Sequence, residues 1–191
     1  LAERLQKAGY DTVAIVCGDV FSTKKKGKTW NIRRGFRLFR EVCGKRPNKQ
    51  AEVVTKKVLQ QLRQLRRGKK PYFVWVHYLD PHHPYHHHKE NMFGPSKIDG
   101  YDEEIRYTDR EISPLLRNLT SGRRKPWVAI TADHGENFGE HGTSPHARTL
   151  YTEVTHVPLL IRAPNGEGRE IDSPVASGDI NPTFLELASI P

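Results

Sequence analysis

The sequence predicts an α/β protein with a mainly parallel β-sheet. Short apolar runs, rich in β-branched and aromatic residues, alternate along the chain with longer segments whose apolar residues recur at helical spacing. This alternation is typical of parallel sheets covered by helices. With 191 residues, 36% of them hydrophobic, the chain has room for one domain with a single core. Its composition is not that of a disordered polymer.

The first half of the chain predicts a helix, a strand and a second helix. Residues 1–9 place Leu and Ala on one helical stripe, and Gly9 stands where the helix would end. Residues 12–17 form a short apolar run that predicts a strand. Residues 22–48 are rich in Lys and Arg and are broken by Gly and Pro, which predicts a long loop with one helical turn. Residues 51–67 predict an amphipathic helix, because Lys and Arg lie opposite their apolar stripe.

The second half predicts three more strands and another helix. The run over residues 71–79 is almost continuously apolar, as is typical of a strand covered on both faces. Residues 101–119 predict a helix, with Pro114 as a potential break. Residues 125–132 and 157–162 have the pattern of two further buried strands. All of these apolar runs fall short of the roughly 20 residues that a membrane-spanning helix needs.

Positive charge is concentrated in one segment. The formal net charge is +9, but residues 22–70 carry eighteen Lys or Arg against two acids, so this segment alone has a net charge of +16. Such a segment is most simply a solvated loop and helix face. It is also typical of surfaces that bind nucleic acid, anionic lipid or an anionic polymer. No zinc-finger, RRM or KH pattern accompanies the charge, so no specific nucleic acid is expected as a partner.

The two cysteines predict neither a disulfide framework nor a thiolate metal site. Cys17 ends an apolar run and Cys43 lies in the basic segment, and we expect both to be free thiols. The chain starts at Leu1 without a charged and then apolar leader, so these residues predict neither a signal peptide nor an anchor.

The loops that follow two of the predicted strands carry the chemistry. Ligands of parallel sheets lie beyond the carboxyl ends of the strands, which makes the loops after 71–79 and 125–132 the candidate site. The later loop begins with Asp133-His134-Gly-Glu136. A carboxylate beside an imidazole, before a glycine that permits a sharp turn, is suited to holding a divalent metal. Alternatively, Asp133 caps the turn and His134 packs as a neutral side chain.

The earlier loop contains His82 between Pro81 and Pro84. Rigid prolines hold a side chain in place without an entropic cost at the moment of binding, which suits a histidine that contacts substrate. Four more histidines lie in the same loop: His83, His86, His87 and His88. For these four we expect a solvated polar tip, or adventitious binding of a transition metal by a His-rich tract.

Seven short motifs follow one another along the chain. In order, they are Gly9-Tyr-Asp-Thr, Phe73-Val-Trp-Val-His-Tyr-Leu-Asp80-Pro-His82-His-Pro-Tyr85, Tyr107-Thr-Asp109, Thr131-Ala-Asp133-His134-Gly-Glu136-Asn-Phe-Gly-Glu-His141-Gly, Leu150-Tyr-Thr-Glu153, Val157-Pro-Leu159 and Asp179-Ile-Asn-Pro182-Thr183. Together they resemble the sulfatase family of the alkaline-phosphatase superfamily. The similarity runs from about residue 1 to the end and is weakest in the basic stretch.

The resemblance implies an alkaline-phosphatase-like α/β/α sandwich that uses a divalent metal to hydrolyse sulfate or phosphate esters, or to transfer a phosphoglycerol-type group. By motif position, Asp133 and His134 match the family's second pair of metal ligands. His82 matches a histidine that contacts the anionic group or the leaving oxygen of the substrate. His146 lies where the family has a lysine or histidine that also touches the anionic oxygens.

Other parts of the family pattern are absent. The nucleophile, a cysteine in a Cys-x-Pro-x-Arg setting or else a serine or threonine, is expected upstream of Leu1, as is the acidic pair that supplies the first metal ligands. Gly18-Asp-Val-Phe stands where many sulfatases have a sulfate-binding Gly-Lys-x-His loop. His141 and Glu136 belong to a family motif but receive no role. We therefore expect residues 1–191 to be a partial catalytic domain, with the basic loop and helix of 22–70 inside it, that is inactive for lack of the nucleophile.

Cofactor, partners and location follow from the same resemblance. Calcium or manganese is the expected metal, with zinc as a further candidate. The expected partners are an anionic sulfate or phosphate ester as substrate and an anionic polymer on the basic segment. The resemblance also favours an extracytoplasmic parent protein, whether periplasmic, secreted or membrane-anchored. The alternatives are a phosphoester hydrolase or phosphoglycerol-type transferase, a degenerate anion-binding module, or a structural zinc site in the His-rich loop.

Overall fold

The structure is a computed structural model of the chain and describes residues 1–18, 21, 31–43, 50–88, 92–121, 124–142, 146, 149–166 and 168–191. The chain divides into two compact units, residues 1–116 with 178–191 and residues 117–177. Residues 22–30 and 44–48 of the segment predicted as a loop lie outside the described residues.

Strands and helices alternate through most of the described chain. The strands are β1 (Asp11–Val16), β2 (Leu38–Glu41), β3 (Tyr72–His77), β4 (Val128–Thr131) and β5 (Leu159–Arg162), and the helices are α1 (Ala2–Lys7), α2 (Gln50–Arg67), α3 (Lys97–Thr120), α4 (Thr152–Thr155) and α5 (Ile180–Leu187). Within the described residues, no helix has the length and apolar character needed to cross a membrane. The predicted α/β class is confirmed.

A parallel sheet of three strands, in the order β2-β1-β3, forms the centre of the first unit. In its register, Val13 pairs with Leu38 on one side and with Val74 on the other. The apolar residues of β1 are no more than 1% exposed. Because a central strand is covered on both faces, its apolar run is continuous rather than alternating.

The amphipathic helix α2 buries one stripe in this unit. Its buried apolar residues, at intervals of three or four, are Ala51, Val54, Val58, Leu62 and Leu65. Full burial of a side chain of Val or Leu size stabilises the folded state by about 1.5–3 kcal/mol. Lys and Arg occupy the exposed face of the same helix.

Aromatic rings pack beside the sheet. Phe36 stacks on Phe73 and on Trp75, with ring centroids 6.0 and 5.9 Å apart, and Phe39 meets Trp75 edge-on at 6.2 Å. Phe39 and Trp75 both lie in register with Ala14. The small side chain of Ala14 between them leaves room for the two larger rings.

The second unit contains the antiparallel pair of β4 and β5, in which Val128 pairs with Arg162 and Thr131 with Leu159. Both strands were predicted, but as fully buried ones. Leu160 and Ile161 are instead 59% and 43% exposed, and β4 is only partly buried. The apolar run of β5 therefore predicted a strand correctly but not its burial, because the described residues of this unit cover only part of that strand.

Four elements differ from the sequence prediction, among them the short helix α4, which was not predicted. β2 lies within the segment predicted as a loop, and α5 was not predicted. Pro114 does not break α3, which runs from Lys97 to Thr120. The helix starts earlier than predicted, after a capping box in which Ser96 N–H donates to Asp99 Oδ2 (2.8 Å) and Asp99 N–H donates to Ser96 Oγ (3.1 Å).

The prediction of free thiols was wrong, because Cys17 and Cys43 form a disulfide. Cys17 follows β1 and Cys43 follows β2, and these strands are parallel neighbours. Val42 N–H donates to the Val16 carbonyl (2.9 Å), and the Cα atoms of the two cysteines are 4.8 Å apart. The undetected strand β2 is thus what brings the sulfurs together.

Candidate functional site

The loop after β4 begins with two of the predicted metal ligands, Asp133 and His134. Their side chains are 76% and 37% exposed, and His134 Nε2 lies 3.8 Å from Asp133 Oδ2. His134 N–H also donates to Asp133 Oδ1 (3.1 Å). The carboxylate and the ring therefore lie side by side at the end of a strand.

The hydrogen bonds of His134 decide which of its nitrogens is available to a ligand. Nδ1 lies 2.8 Å from the Gly135 carbonyl oxygen, which can only accept, so Nδ1 carries the proton of the neutral ring. The lone pair is then on Nε2, the nitrogen nearer Asp133. Metal-binding histidines usually donate their other N–H to a carbonyl or carboxylate in this way.

The donor chemistry of Asp133 and His134 fits a divalent metal, but it supplies only two ligands. Among the residues that the structure describes, no group of three or more His, Cys, Asp or Glu side chains is arranged to hold an ion. A pair of protein ligands binds a divalent ion weakly. Asp133 and His134 alone would therefore form no more than part of a metal site.

His146 lies against His134 in the same unit. The two rings stack with centroids 4.3 Å apart and an interplanar angle of 28°. His146 Nδ1 lies 2.8 Å from Glu136 Oε1, and the Glu136 side chain is only 5% exposed. Glu136, which had no predicted role, is thus the buried carboxylate that orients His146. Its position two residues after His134 was the one feature of the sequence that could have indicated this role.

A second carboxylate in this unit, Glu153 on α4, accepts hydrogen bonds from Asn137 Nδ2 and His141 Nδ1, both at 2.7 Å. Hydrogen bonding to its backbone N–H and to His141 lowers the pKa of Glu153, so this carboxylate is ionised. His141, the other motif residue without a predicted role, therefore has a defined partner.

His82 lies in the first unit, in the loop after β3. Its backbone N–H donates to the Leu79 carbonyl (2.8 Å), and its Nδ1 donates to the His83 carbonyl (2.6 Å). The peptide bonds before Pro81 and Pro84 are both cis. The exposed ring of His82 is thereby oriented by its own loop.

Two adjacent glutamates of α3 fasten this loop. The His86 N–H donates to Glu104 Oε1 (3.0 Å), and the His88 N–H donates to Glu103 Oε2 (2.6 Å). The His88 ring also stacks on Tyr107, with centroids 4.3 Å apart. The His-rich loop is therefore not a wholly solvated tip, although the sequence favoured that as one interpretation.

Burial shifts several pKa values around this loop. Desolvation, reinforced by Glu104, raises the pKa of Asp80 to about 6. Desolvation also raises the pKa of Glu104 and lowers that of His88. Asp80 Oδ2 is buried and has no hydrogen-bond partner among the described residues. These groups form a poorly solvated cluster beneath the segment that carries His82.

Similarity to known proteins is strongest at the level of the family. The family model described as Sulfatase matches residues 1–190. The chain is 28% identical over 179 residues to the uncharacterized sulfatase YidJ of Escherichia coli, a match that covers 73% of this chain and 36% of YidJ. The chain thus spans about a third of the length of this relative.

Solved structures share the fold at low sequence identity. A crystal structure of Ps i-CgsB in complex with k-i-k-neocarrahexaose has a TM-score of 0.75 at 16% identity and covers 100% of this chain and 53% of its own. The lipoteichoic acid synthase LtaP of Listeria monocytogenes has 0.73 at 16%, covering 98% and 52%. The C-terminal periplasmic domain of EcEptC of Escherichia coli, in complex with Zn, has 0.64 at 17%, covering 84% and 51%. These likenesses show the fold alone, whereas the match of the family model over nearly the whole chain shows that the chain belongs to the sulfatase family.

Proposed function

We propose that this chain is part of a metal-dependent hydrolase of sulfate esters, in which Asp133 and His134 provide two ligands of a divalent metal. The observation that carries this proposal is the hydrogen bond from His134 Nδ1 to the Gly135 carbonyl, which leaves the lone pair of Nε2, 3.8 Å from Asp133 Oδ2, available to a metal. Membership of the sulfatase family supports the reaction class.

Roles in the reaction are also proposed for two histidines, His146 of the second unit and His82 of the first. His146, held by the buried Glu136, would donate a hydrogen bond to the anionic oxygens of the substrate. His82 would contact the anionic group or donate a proton to the leaving oxygen. A bound metal would neutralise charge on the ester oxygens and activate the nucleophile.

The mixed carboxylate and imidazole pair leaves three candidate metals. Imidazole is a usual ligand of zinc, carboxylate suits manganese and calcium, and calcium accepts such a pair where oxygen ligands fill the remaining positions. We propose calcium or manganese, with zinc as the further candidate.

Activity is the direct test of this function. We propose that the isolated chain turns over no aryl sulfate, because no residue in it matches the nucleophile of the family, and that the longer protein to which it would belong does so. Asp133→Ala in that protein should abolish turnover. Turnover of an aryl sulfate by the isolated chain would contradict the proposed inactivity, and an undiminished rate in the Asp133→Ala protein would contradict the proposed role of Asp133.

Phosphoester chemistry is the second candidate, and the fold likeness to a lipoteichoic acid synthase favours it. Sulfate and phosphate esters are both tetrahedral anions, and the side chains named here suit either of them. Comparison of an aryl sulfate with a bis-aryl phosphate as substrate of the longer protein separates the two reactions.

We also propose an anionic polymer as partner of the basic segment and an extracytoplasmic location. Lys57, Arg63 and Arg67 on α2 are exposed and form no ion pair with another described residue, which suits a polyanion. The disulfide between Cys17 and Cys43 is typical of oxidising compartments. The periplasmic origin of the similar EcEptC domain supports the same location.

A further inference from the structure

One carboxylate on α4, that of Glu153, accepts hydrogen bonds from two residues of the loop that carries the proposed metal ligands. We propose that Glu153 is a positioning residue, which holds the segment 133–142 in the conformation that presents Asp133 and His134. The inference rests on the proposed function, because it assigns Glu153 a role only if those two residues bind a metal.

The side chain of Glu153 fixes the middle and the end of the segment. Its Oε1 accepts from Asn137 Nδ2 and from His141 Nδ1, each at 2.7 Å. Asn137 is only 1% exposed, and its Oδ1 in turn accepts the backbone N–H of Gly139 (2.9 Å). Because a carboxylate only accepts, these bonds also determine the orientation of the Asn137 amide and the protonated nitrogen of His141.

Stacking secures the far end of the segment. The His141 ring lies flat on Tyr151, with centroids 3.7 Å apart and an interplanar angle of 11°. Tyr151 precedes α4, so the ring is clamped between the beginning of this helix and its second residue, Glu153.

The backbone of the same helix holds the near end. Gly135 N–H donates to the Val154 carbonyl (2.7 Å). A Cβ atom at position 135 would collide with the Glu153 carbonyl oxygen and lie 3.4 Å from Val154 Cα. Because residue 135 is a glycine, α4 can pack directly against the backbone next to His134.

Glu153 has the electrostatic state that this role needs. Its lowered pKa keeps it ionised, and hydrogen bonds to a charged acceptor are about twice as strong as neutral ones. Loss of the carboxylate would leave the buried Asn137 amide without this acceptor and release His141, whereas the backbone bond of Gly135 would remain.

The test compares Glu153→Ala, Glu153→Asp and Glu153→Gln in the full 191-residue chain. Glu170→Gln is the matched control, since Glu170 is an exposed carboxylate of the same unit. Hydrogen exchange of the Gly139 backbone amide reports the position of the loop, and titration with Mn²⁺ reports the proposed ligands. Urea unfolding of each variant identifies any change that is merely a loss of global stability.

We expect Glu153→Ala to raise Gly139 exchange about 10-fold or more and to weaken Mn²⁺ binding by up to about 10-fold. The effect on binding should stay at the low end of the range for residues bonded directly to metal ligands, because the Gly135 bond beside His134 remains. Glu153→Asp, which keeps the charge but shortens the side chain, should behave like Ala. Glu153→Gln still accepts through its amide oxygen but lacks the charge, so it should recover both properties in part. Glu170→Gln should change neither.

The outcomes separate this inference from the function on which it rests. Unchanged Mn²⁺ affinity in both Glu153→Ala and Glu153→Asp, with wild-type binding intact, overturns the role of Glu153 and leaves the metal ligands standing. Absence of Mn²⁺ binding by the wild-type chain overturns the positioning of metal ligands together with the ligand assignment, whatever the exchange data show. If Glu153→Ala does not fold, Glu153→Asp and Glu153→Gln decide the question.

Discussion

Asp80 shows how much a single carboxyl group in this chain depends on its surroundings. The group is 7% exposed, accepts a hydrogen bond from the Ala51 backbone N–H, and faces Glu104, His88 and Tyr107. Its other oxygen has no partner among the described residues. The charged form is therefore poorly compensated.

The pH dependence of stability should report this burial. The folded pKa of Asp80 is raised from 3.8 to about 6, so its contribution to stability is full below about pH 4 and is lost as the pH rises through 6. Asp80→Asn mimics the protonated form and should remove a loss of up to about 3 kcal/mol between pH 4 and pH 8. Urea unfolding across that range measures it. Exposed Asp109→Asn is the control, and a wild-type pH profile in Asp80→Asn would contradict the assignment.

The close contact between Gly135 and α4 should make position 135 intolerant of a larger side chain. Gly135→Ala would place a methyl group against the Glu153 carbonyl, and we expect a loss of about 1–3 kcal/mol, the usual cost of overpacking. Gly168→Ala, where nothing lies within 4 Å of the added atom, is the matched control. Equal unfolding free energies for the two variants would mean that α4 does not approach the loop this closely.

The residues of the candidate site could be predicted from the sequence, but most of their hydrogen-bond partners could not. Asp133 and His134 are recognisable because a strand pattern ends just before them. Glu136 and Glu153 act through hydrogen bonds to His146 and His141. Glu153 is twelve residues from His141, and no periodicity connects a loop residue with a distant helix. Such pairings exist only once the chain has folded.

At the scale of elements, strong periodic patterns gave correct helices and strands, and short segments in charged surroundings did not. β1 and α2 have long patterns that burial dictates. β2 is four residues long, at the edge of its sheet, and half of it is exposed, so its sequence is under little pressure to look like a strand. The start of α3 was within reach, because Ser96 and Asp99 have the spacing of a capping box.

The disulfide forms because β2 pairs with β1 and so brings Cys43 next to Cys17. Cys43→Ala removes a cross-link between residues 26 apart, for which the loop-entropy estimate is about 3.5 kcal/mol. Cys43 is exposed, so its replacement adds little packing loss. Unfolding of the variant should match that of the reduced wild type. Alkylation of both thiols in the unreduced, denatured chain would show that the bond is absent.

The exposed face of α2 provides a separate test of the polyanion proposal. Arg63→Gln/Arg67→Gln should elute from a heparin column at lower salt than the wild type, because fewer counterions are released on binding. Arg4→Gln/Lys7→Gln, on α1, removes the same charge elsewhere and is the control. Equal elution of the two double variants would indicate a general charge effect rather than a surface on α2.

At the scale of the whole molecule, two facts bear on the proposal that this chain is part of a hydrolase: its length relative to its family, and the number of candidate metal ligands that it presents. The family match extends over nearly the whole chain, yet the chain spans about a third of YidJ. Among the described residues, the two proposed metal ligands are fewer than a stable metal site needs. The α/β fold could be predicted because the alternation of elements persists along the sequence, whereas a shared site depends on contacts between distant segments.

The most direct test of the central claim is calorimetric titration of manganese, calcium and zinc into the chain and into Asp133→Ala/His134→Ala. We predict weak binding of at least one of these ions by the wild type and its loss in the double variant, since these two side chains supply the donors. Equal binding by both proteins, for example through the His-rich loop, would contradict the assignment of the metal ligands, as would absence of binding by the wild type.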